Sequence, residues 1–467
     1  MHWLLLLLLF SATPESTTAT GSHLRLTLHR LPYSTESSRL DRLRAIVHGD
    51  RWRHRTIAGE IARRRMAVEV GSSFRASDSE IEMPLWSGAY TGTGEYFVRL
   101  FLGTPARPFV LVTDTGSDLT WVTCRYQGTA DSVQRRGGGR KRRSRQSKRV
   151  FEADRSSSFH PISCSSSACR TELPFALKAC PTPATPCSYD YQYAQGSSAK
   201  GFFANESATV EFHGRRRTKL KGLVVGCTSS AVGTSFVSSD GVLALGYGPN
   251  TFVSRATAVF GGRFSYCLVD HLSPRNATGH LTFGPRHSVP SNSPSARLIL
   301  DSFHQPFYYV AVAGISVAGE LLLIPPSIWN SSLHGGAIVD SGTTLTVLAD
   351  PAYRAVVDAL SRPLAAVPRV KFDPFEYCYN WTSPEAAHAV VPGLTLNFVG
   401  SAQFSPPAKS YLIDVATGVK CLGFTSTPSP GISIIGNIMQ QNHMWEFDLE
   451  NQRLRFHPSN CTVGSKR

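Results

Sequence analysis

The chain has 467 residues, 42% hydrophobic and 17% charged, a balance that excludes a disordered or fibrous protein and provides for one large or two medium cores. Its formal net charge is +15, but nine Lys/Arg with no acidic residue fall within residues 135–149, so most of the excess is local and a general polyanion-binding surface is not implied. Ten cysteines, an even number, fit an oxidising compartment.

Leu4–Leu9 is an unbroken leucine run, and small polar residues follow from Ser11. The run is too short to span a bilayer and sits where a secretory signal belongs, so residues 1–21 are expected to be a signal peptide. No later stretch is long and apolar enough for a transmembrane helix, and a soluble product is expected. Sequons at Asn205, Asn276, Asn330, Asn380 and Asn460 agree with secretion. Residues 22–88 are Arg-rich and polar, with a helical stretch around Ser38–Val70 that shows no strong apolar face. A removable basic pro-segment is expected there, able to lie over an acidic cleft until low pH weakens the attraction.

From Tyr90 the texture changes to short β-branched and aromatic runs broken by Gly, Pro, Ser and Asn. Strands are expected at Glu95–Leu102, Phe109–Thr113, Thr209–Phe212, Leu223–Gly226, Leu281–Gly284, Tyr308–Val312, Ala337–Val339, Leu394–Phe398, Val419–Phe424 and Trp445–Asp448. Pro351–Leu360 is the best helix. Arg135–Arg149 has no apolar residue and reads as a solvated surface loop. Without interleaved aromatics, and inside a secreted chain, it is weak evidence for nucleic-acid binding. Cys164, Cys169, Cys180 and Cys187 lie within 24 residues and suggest a locally stapled loop. With no close Cys-x-x-Cys pair, zinc is the weaker reading, and no metal site is expected.

One pattern occurs twice. An apolar run delivers Asp114, then Thr115, Gly116 and Ser117; a second apolar run delivers Asp340, then Ser341, Gly342 and Thr343. A carboxylate at the end of an apolar strand is costly unless its oxygens are satisfied, and the hydroxyls of Ser117 and Thr343 stand where they could do so. The glycines permit a tight turn and a close approach. Two such loops face to face would share one proton, making one carboxyl an acid and the other a base.

With these loops, Tyr96–Pro105, Trp121–Cys124, Gly226-Cys227, Phe264–Leu268, Tyr308–Gly319, Cys421–Phe424 and Ser433–Asn437 followed by Gln440-Gln441, the chain resembles the pepsin-like aspartic proteases, and among them the plant nepenthesin type. The resemblance covers about Tyr90 to Cys461. It implies a mainly β, bilobal fold, with an N-terminal lobe over residues 89–265, a C-terminal lobe over 266–467 and a cleft between them for an extended peptide. It implies that Asp114 and Asp340 activate a water for peptide-bond hydrolysis, with no metal or organic cofactor, in a monomer of the extracellular space, apoplast or vacuole. Protein or peptide substrates are the implied partners. A flap would carry Tyr193, whose hydroxyl would meet the ring of Trp121. The implied disulfides are Cys164–Cys187, Cys169–Cys180, Cys267–Cys461 and Cys378–Cys421, and Cys124 and Cys227 remain to pair with each other.

Two departures from the family pattern fall around Asp114. Ala194 and Gln195 replace the usual Gly-Asp of the flap, and Val242-Leu243-Ala244 stands where the second lobe has Ile434-Ile435-Gly436. The alternative is a catalytically weak or inactive protein that uses the same scaffold for binding or inhibition.

Overall fold

The computed structural model describes residues 47, 50, 53, 54, 57, 80–87, 94–128, 149–177, 179–192, 197–211, 217–233, 236, 238–274, 276–284 and 289–462. The expected signal peptide, most of the expected pro-segment, the basic loop up to residue 148 and the flap residues 193–196 lie outside the described residues.

Alternating or continuous burial marks most of the expected strands. Tyr96–Leu102 pairs antiparallel with Arg107–Asp114 over seven register positions, and six consecutive residues from Phe109 to Asp114 are buried. Such a run reads as apolar because both of its faces are covered. Twenty of the described strands join one continuous sheet, and two four-stranded sheets stand beside it.

The two aspartate loops hang from matching frameworks. Gly241–Ala244 runs parallel to Arg107–Asp114, with Ala244 opposite Asp114, and antiparallel to the strand beginning at Trp121. In the second half, Ser433–Ile435 runs parallel to Ala337–Val339 and antiparallel to the strand Thr346–Ala349 at Val347 and Ile434. The outer neighbours repeat as well, since Trp121–Thr123 pairs parallel with Gly226–Thr228 and Thr346–Ala349 with Phe424–Thr427. A platform joins the halves: Ile81–Ser87 pairs with Gly279–Phe283, which pairs with Arg263–Cys267, which pairs with His443–Asp448.

Several sequence boundaries shift. Tyr308–Val312 divides at Ala311 into Tyr308–Val310 and Val312–Val317, because the Ala311 amide bonds to the Arg297 carbonyl. Val419–Phe424 divides at Gly423, whose amide donates to Tyr411. Thr209 and Leu223–Gly226 are parts of a long hairpin, Ser198–Glu211 with Arg217–Val232, and register shifts at Gly201 and Ala208 break the alternation that sequence reading relies on. The helix at Pro351 forms over Asp350–Ser361, burying Ala352, Tyr353, Val356, Val357 and Leu360. A further helix, Phe252–Phe260, is capped by Thr251. Its aromatic and β-branched residues disguise it as a strand.

Five disulfides form, and three match expectation: Cys124–Cys227, Cys267–Cys461 and Cys378–Cys421. The nested pairing in the stapled loop is corrected. Cys164 bonds Cys180, and Cys169 bonds Cys187, so the two bridges interleave. Cys169, in the short helical turn Ala168–Glu172, is buried in one cluster with Cys164 and Cys187, and its sulfur is the one bonded to Cys187. Cys180 stays exposed and meets Cys164 beside the Thr182 carbonyl.

Candidate active site

Asp114, the last residue of its strand, and Asp340, the residue after Ala337–Val339, face each other, 2% and 0% exposed. How closely the loops approach is read from the glycines. A Cβ on Gly116 would lie 2.8 Å from Asp340 Oδ1, and one on Gly342 would lie 2.4 Å from Asp114 Oδ1, closer than any side chain tolerates. The amides of Gly116 and Gly342 each donate at 2.9 Å to Oδ1 of their own aspartate.

The loops are laced across the junction by their own hydroxyl residues. The Thr115 amide donates to Ser341 Oγ at 3.1 Å, and the Ser341 amide donates to Thr115 Oγ1 at 2.8 Å. Thr115 Oγ1 donates to the Val339 carbonyl and Ser341 Oγ to the Thr113 carbonyl. Four bonds thus fix one loop against the other with near twofold symmetry. The flanking hydroxyls differ: Thr343 Oγ1 donates to Asp340 Oδ2 at 2.6 Å, whereas the buried Ser117 Oγ has no hydrogen-bond partner among the described residues.

The Asp340 half has its own supports. Gln440 Nε2 donates to the carbonyls of Asp340 and Ile435, and its Oε1 accepts from Tyr266. Asn437 Nδ2 bridges the carbonyls of Gly94 and Ser341. Gly436 and Ala244 occupy mirrored places, each amide bonding a threonine hydroxyl, Thr346 and Thr120. A Cβ on Gly436 would come within 2.2 Å of the Leu345 carbonyl, while the Ala244 methyl is accommodated in full burial.

A third group completes the site. Val47, Asp50, Arg53, His54 and Ile57 are helical, and their three- and four-residue spacing puts them on one face. Arg53 reaches between the aspartates, its Nε 2.7 Å from Asp340 Oδ2, its Nη1 3.1 Å from Asp114 Oδ2 and its Nη2 bonded to Oδ1 of both. Asp50 accepts from the amides of Thr344 and Leu345 at 2.9 and 2.6 Å. His54 donates from Nε2 to the Ile432 carbonyl at 2.6 Å, and its Nδ1 meets Thr427 Oγ1. Val47 packs with Leu345, Ile413, Val415 and Ile438; Ile57 packs with Phe307, Tyr309, Ile338 and Ile434.

Burial raises the Asp114 carboxyl above the ordinary carboxylate range; Arg53 opposes the shift and Asp340 adds to it. Burial works against the Arg53 charge, but the two aspartates outweigh it and hold the guanidinium protonated well above its usual range. Burial likewise pushes the Asp50 carboxyl up to about 7, against the two amide bonds.

The sequence reading missed Arg53 and Asp50. Their face carries only two apolar residues among five, so no apolar stripe announces it; the spacing of Val47, Asp50, Arg53, His54 and Ile57 is the signal that could have done so. Trp121 is buried and packs edge-on against Phe236 at 5.0 Å. Tyr193 lies outside the described residues, and the adjoining strand presents Tyr191, whose hydroxyl donates to Asp118 at 3.1 Å. Asn205, Asn276, Asn330 and Asn460 are exposed; Asn380 is half-buried. Among the described residues, no helix is long and apolar enough to cross a membrane, and no three His, Cys, Asp or Glu side chains group as metal ligands.

Residues 96–285 match the family model described as xylanase inhibitor N-terminal, and residues 307–458 match that described as xylanase inhibitor C-terminal. The chain is 36% identical to aspartyl protease family protein 2 of Arabidopsis thaliana over 80% of this chain and 73% of that protein. It is 33% identical to aspartic proteinase nepenthesin-2 of Nepenthes gracilis over 82% of this chain and 81% of that protein. Among solved structures, basic 7S globulin from soybean superposes with a TM-score of 0.61 at 18% identity, covering 82% of this chain and 95% of the globulin.

Proposed function

The chain belongs to the pepsin-like aspartic protease family, alongside the nepenthesins, and we propose that it is a secreted aspartic-type endopeptidase, active at acidic pH and made as a zymogen. The observation that carries this reading is the facing pair Asp114 and Asp340, held by reciprocal Thr115 and Ser341 bonds with Arg53 between them.

Once the guanidinium leaves, the space it fills between the carboxyls is available to a water. One carboxylate takes a proton from that water as it attacks the scissile carbonyl, and the other, protonated, donates to the carbonyl oxygen. Burial favours sharing a single proton between the two groups. The proton then passes to the leaving amine, and no covalent enzyme intermediate forms. This chemistry requires no metal or organic cofactor, and the substrates are proteins or peptides.

The helix bearing Arg53 is the inhibitory part of an N-terminal pro-segment that follows a signal peptide at residues 1–21. Residues 89–265 and 266–467 form the two lobes, and the destination is the apoplast, extracellular space or vacuole. Acid weakens the Arg53 contacts by protonating Asp114, whose carboxyl burial already raises above the ordinary range.

The test is peptide cleavage by the acid-treated protein over pH 3–6, with and without pepstatin, beside Asp114→Asn. Pepstatin-sensitive cleavage by the wild type alone is expected. If wild type and variant are equally inert, the chain is instead a binding protein on this scaffold.

A further inference from the structure

A recess of about 640 Å³ opens in the C-terminal half, between the turn at Ser401, the segment Asn292–Ser295 and the place where His443 pairs with Pro458. Its size is that of a small-ligand site. None of its lining residues belongs to either aspartate loop, and among the described residues that line it none is Asp, Glu, Lys or Arg. An ionic ligand would find no counter-charge on these walls.

The floor is rigid and holds one buried polar group. Phe404 is 1% exposed and packs edge-on against His443, Trp445 and Phe456, with ring centroids 5.0, 4.9 and 5.4 Å apart. His443 is itself only 5% exposed. Its Nδ1 donates to the Gln441 carbonyl at 3.0 Å, so Nε2 of the neutral ring is an acceptor. Nε2 has no hydrogen-bond partner among the described residues and is not enclosed, which leaves it open to the recess that the ring lines. Burial pushes this imidazole below its usual range, against the bond to Gln441 and with His457 adding to the shift. The rim supplies the complementary groups. Asn292, Ser295 and Ser401 bring an amide and two hydroxyls with no side-chain partner among the described residues. Gln403 Nε2 donates to Asn397 at 2.9 Å and leaves its Oε1 for a ligand.

An uncharged wall of amides and hydroxyls over an apolar floor, with one fixed acceptor at depth, matches a molecule that carries many hydroxyls and no charge. We propose that this recess binds a neutral saccharide, with one hydroxyl donating to His443 Nε2 and others meeting Asn292, Ser295, Ser401 and Gln403. The site is independent of peptide hydrolysis. Its ligand has two possible sources of the same chemistry, because the sequon at Asn460 lies two residues beyond Pro458: a free oligosaccharide, or a glycan carried by the chain itself.

The test is saturation-transfer NMR and titration calorimetry at pH 7, with cellotriose and maltotriose as probes and tri-galacturonate as the charged control. Both the full-length chain and its Asn460→Gln variant are measured. A neutral trisaccharide should bind and the uronate should not. Binding to the wild type identifies a free ligand; binding only after Asn460→Gln identifies the chain's own glycan as the occupant. No neutral probe bound by either protein, or the uronate bound equally well, overturns the proposal. In the protein that binds, His443→Phe should weaken affinity about tenfold, and His443→Gln, which keeps an acceptor, should recover most of the loss. Asn292 and Gln403 are exposed, so replacing both by alanine leaves the fold intact. That double variant should melt as the wild type does and bind at least about tenfold more weakly; unchanged affinity in it would refute the assignment to this recess.

Discussion

Arg53 Nε stands 2.7 Å from Asp340 Oδ2, while Nη1 of the same guanidinium stands 3.1 Å from Asp114 Oδ2. One side chain thereby holds both carboxylates of the site. A planar fork suits two acceptors better than a lysine would, because its donors are fixed in direction. On the proposed mechanism, the group occupies the space that a reacting water needs.

Replacing Arg53 tests the block directly. Removing one side of a buried ion pair costs about 3–5 kcal/mol, so Arg53→Ala should release the helix and raise cleavage by the unprocessed chain at least about tenfold. The measurement is hydrolysis of a fluorogenic peptide by freshly purified full-length protein at pH 5. Unchanged activity would show that the obstruction lies elsewhere.

Asp50 gives the helix a pH dependence of the opposite sense to the Arg53 contacts. Burial lifts its carboxyl to about 7 from an ordinary 3.8, so the docked helix favours the protonated form. Its contribution to docking is therefore full below about pH 4 and lost as pH rises through about 7, by up to about tenfold in the docking equilibrium per pH unit. Hydrogen exchange of residues 47–57 in an Asp114→Asn background should show docking weakening across that window, and Asp50→Asn should remove the dependence. An unaltered profile in Asp50→Asn would assign the titration to another group.

The flanking hydroxyls predict an asymmetry in stability. Thr343 Oγ1 donates to Asp340 Oδ2, and the isosteric Thr343→Val removes a bond to a buried carboxyl at a cost of about 1.5–3 kcal/mol. Ser117 Oγ has no hydrogen-bond partner among the described residues, so Ser117→Ala should stay within about 0.5 kcal/mol of wild type. Chemical denaturation of the unprocessed chain compares the two. Equal losses would mean that the halves support their carboxylates alike.

The interleaved bridges can be read by non-reducing peptide mapping, which should recover Cys164 with Cys180 and Cys169 with Cys187. Replacing Cys169 and Cys187 together by alanine should cost about 3 kcal/mol in thermal unfolding. Recovery of Cys164 linked to Cys187 would refute the pairing.

The sequence made legible whatever depends on short-range pattern. Phe109–Asp114 and Ala337–Val339 announce themselves because strands covered on both faces must be apolar throughout; the first ends on Asp114 and the second leads directly into Asp340. Cys267–Cys461 and Cys378–Cys421 followed from the family resemblance, and Cys124–Cys227 was the pair it left over. The stapled loop did not, since four cysteines within 24 residues can pair in several ways and three of them, Cys164, Cys169 and Cys187, share one buried cluster. Arg53 was hidden for another reason. Its partners lie 61 and 287 residues away, and no local pattern encodes a contact of that span.

The reciprocal bonds between Thr115 and Ser341 have a consequence for how the site can fail. Each aspartate loop is positioned by a residue of the opposite loop, so neither carboxylate has a geometry of its own. A tilt of one half against the other acts on all four bonds and displaces both aspartates together. Substitutions in the platform that sets the relative orientation of the halves therefore reach both aspartates without touching either of them.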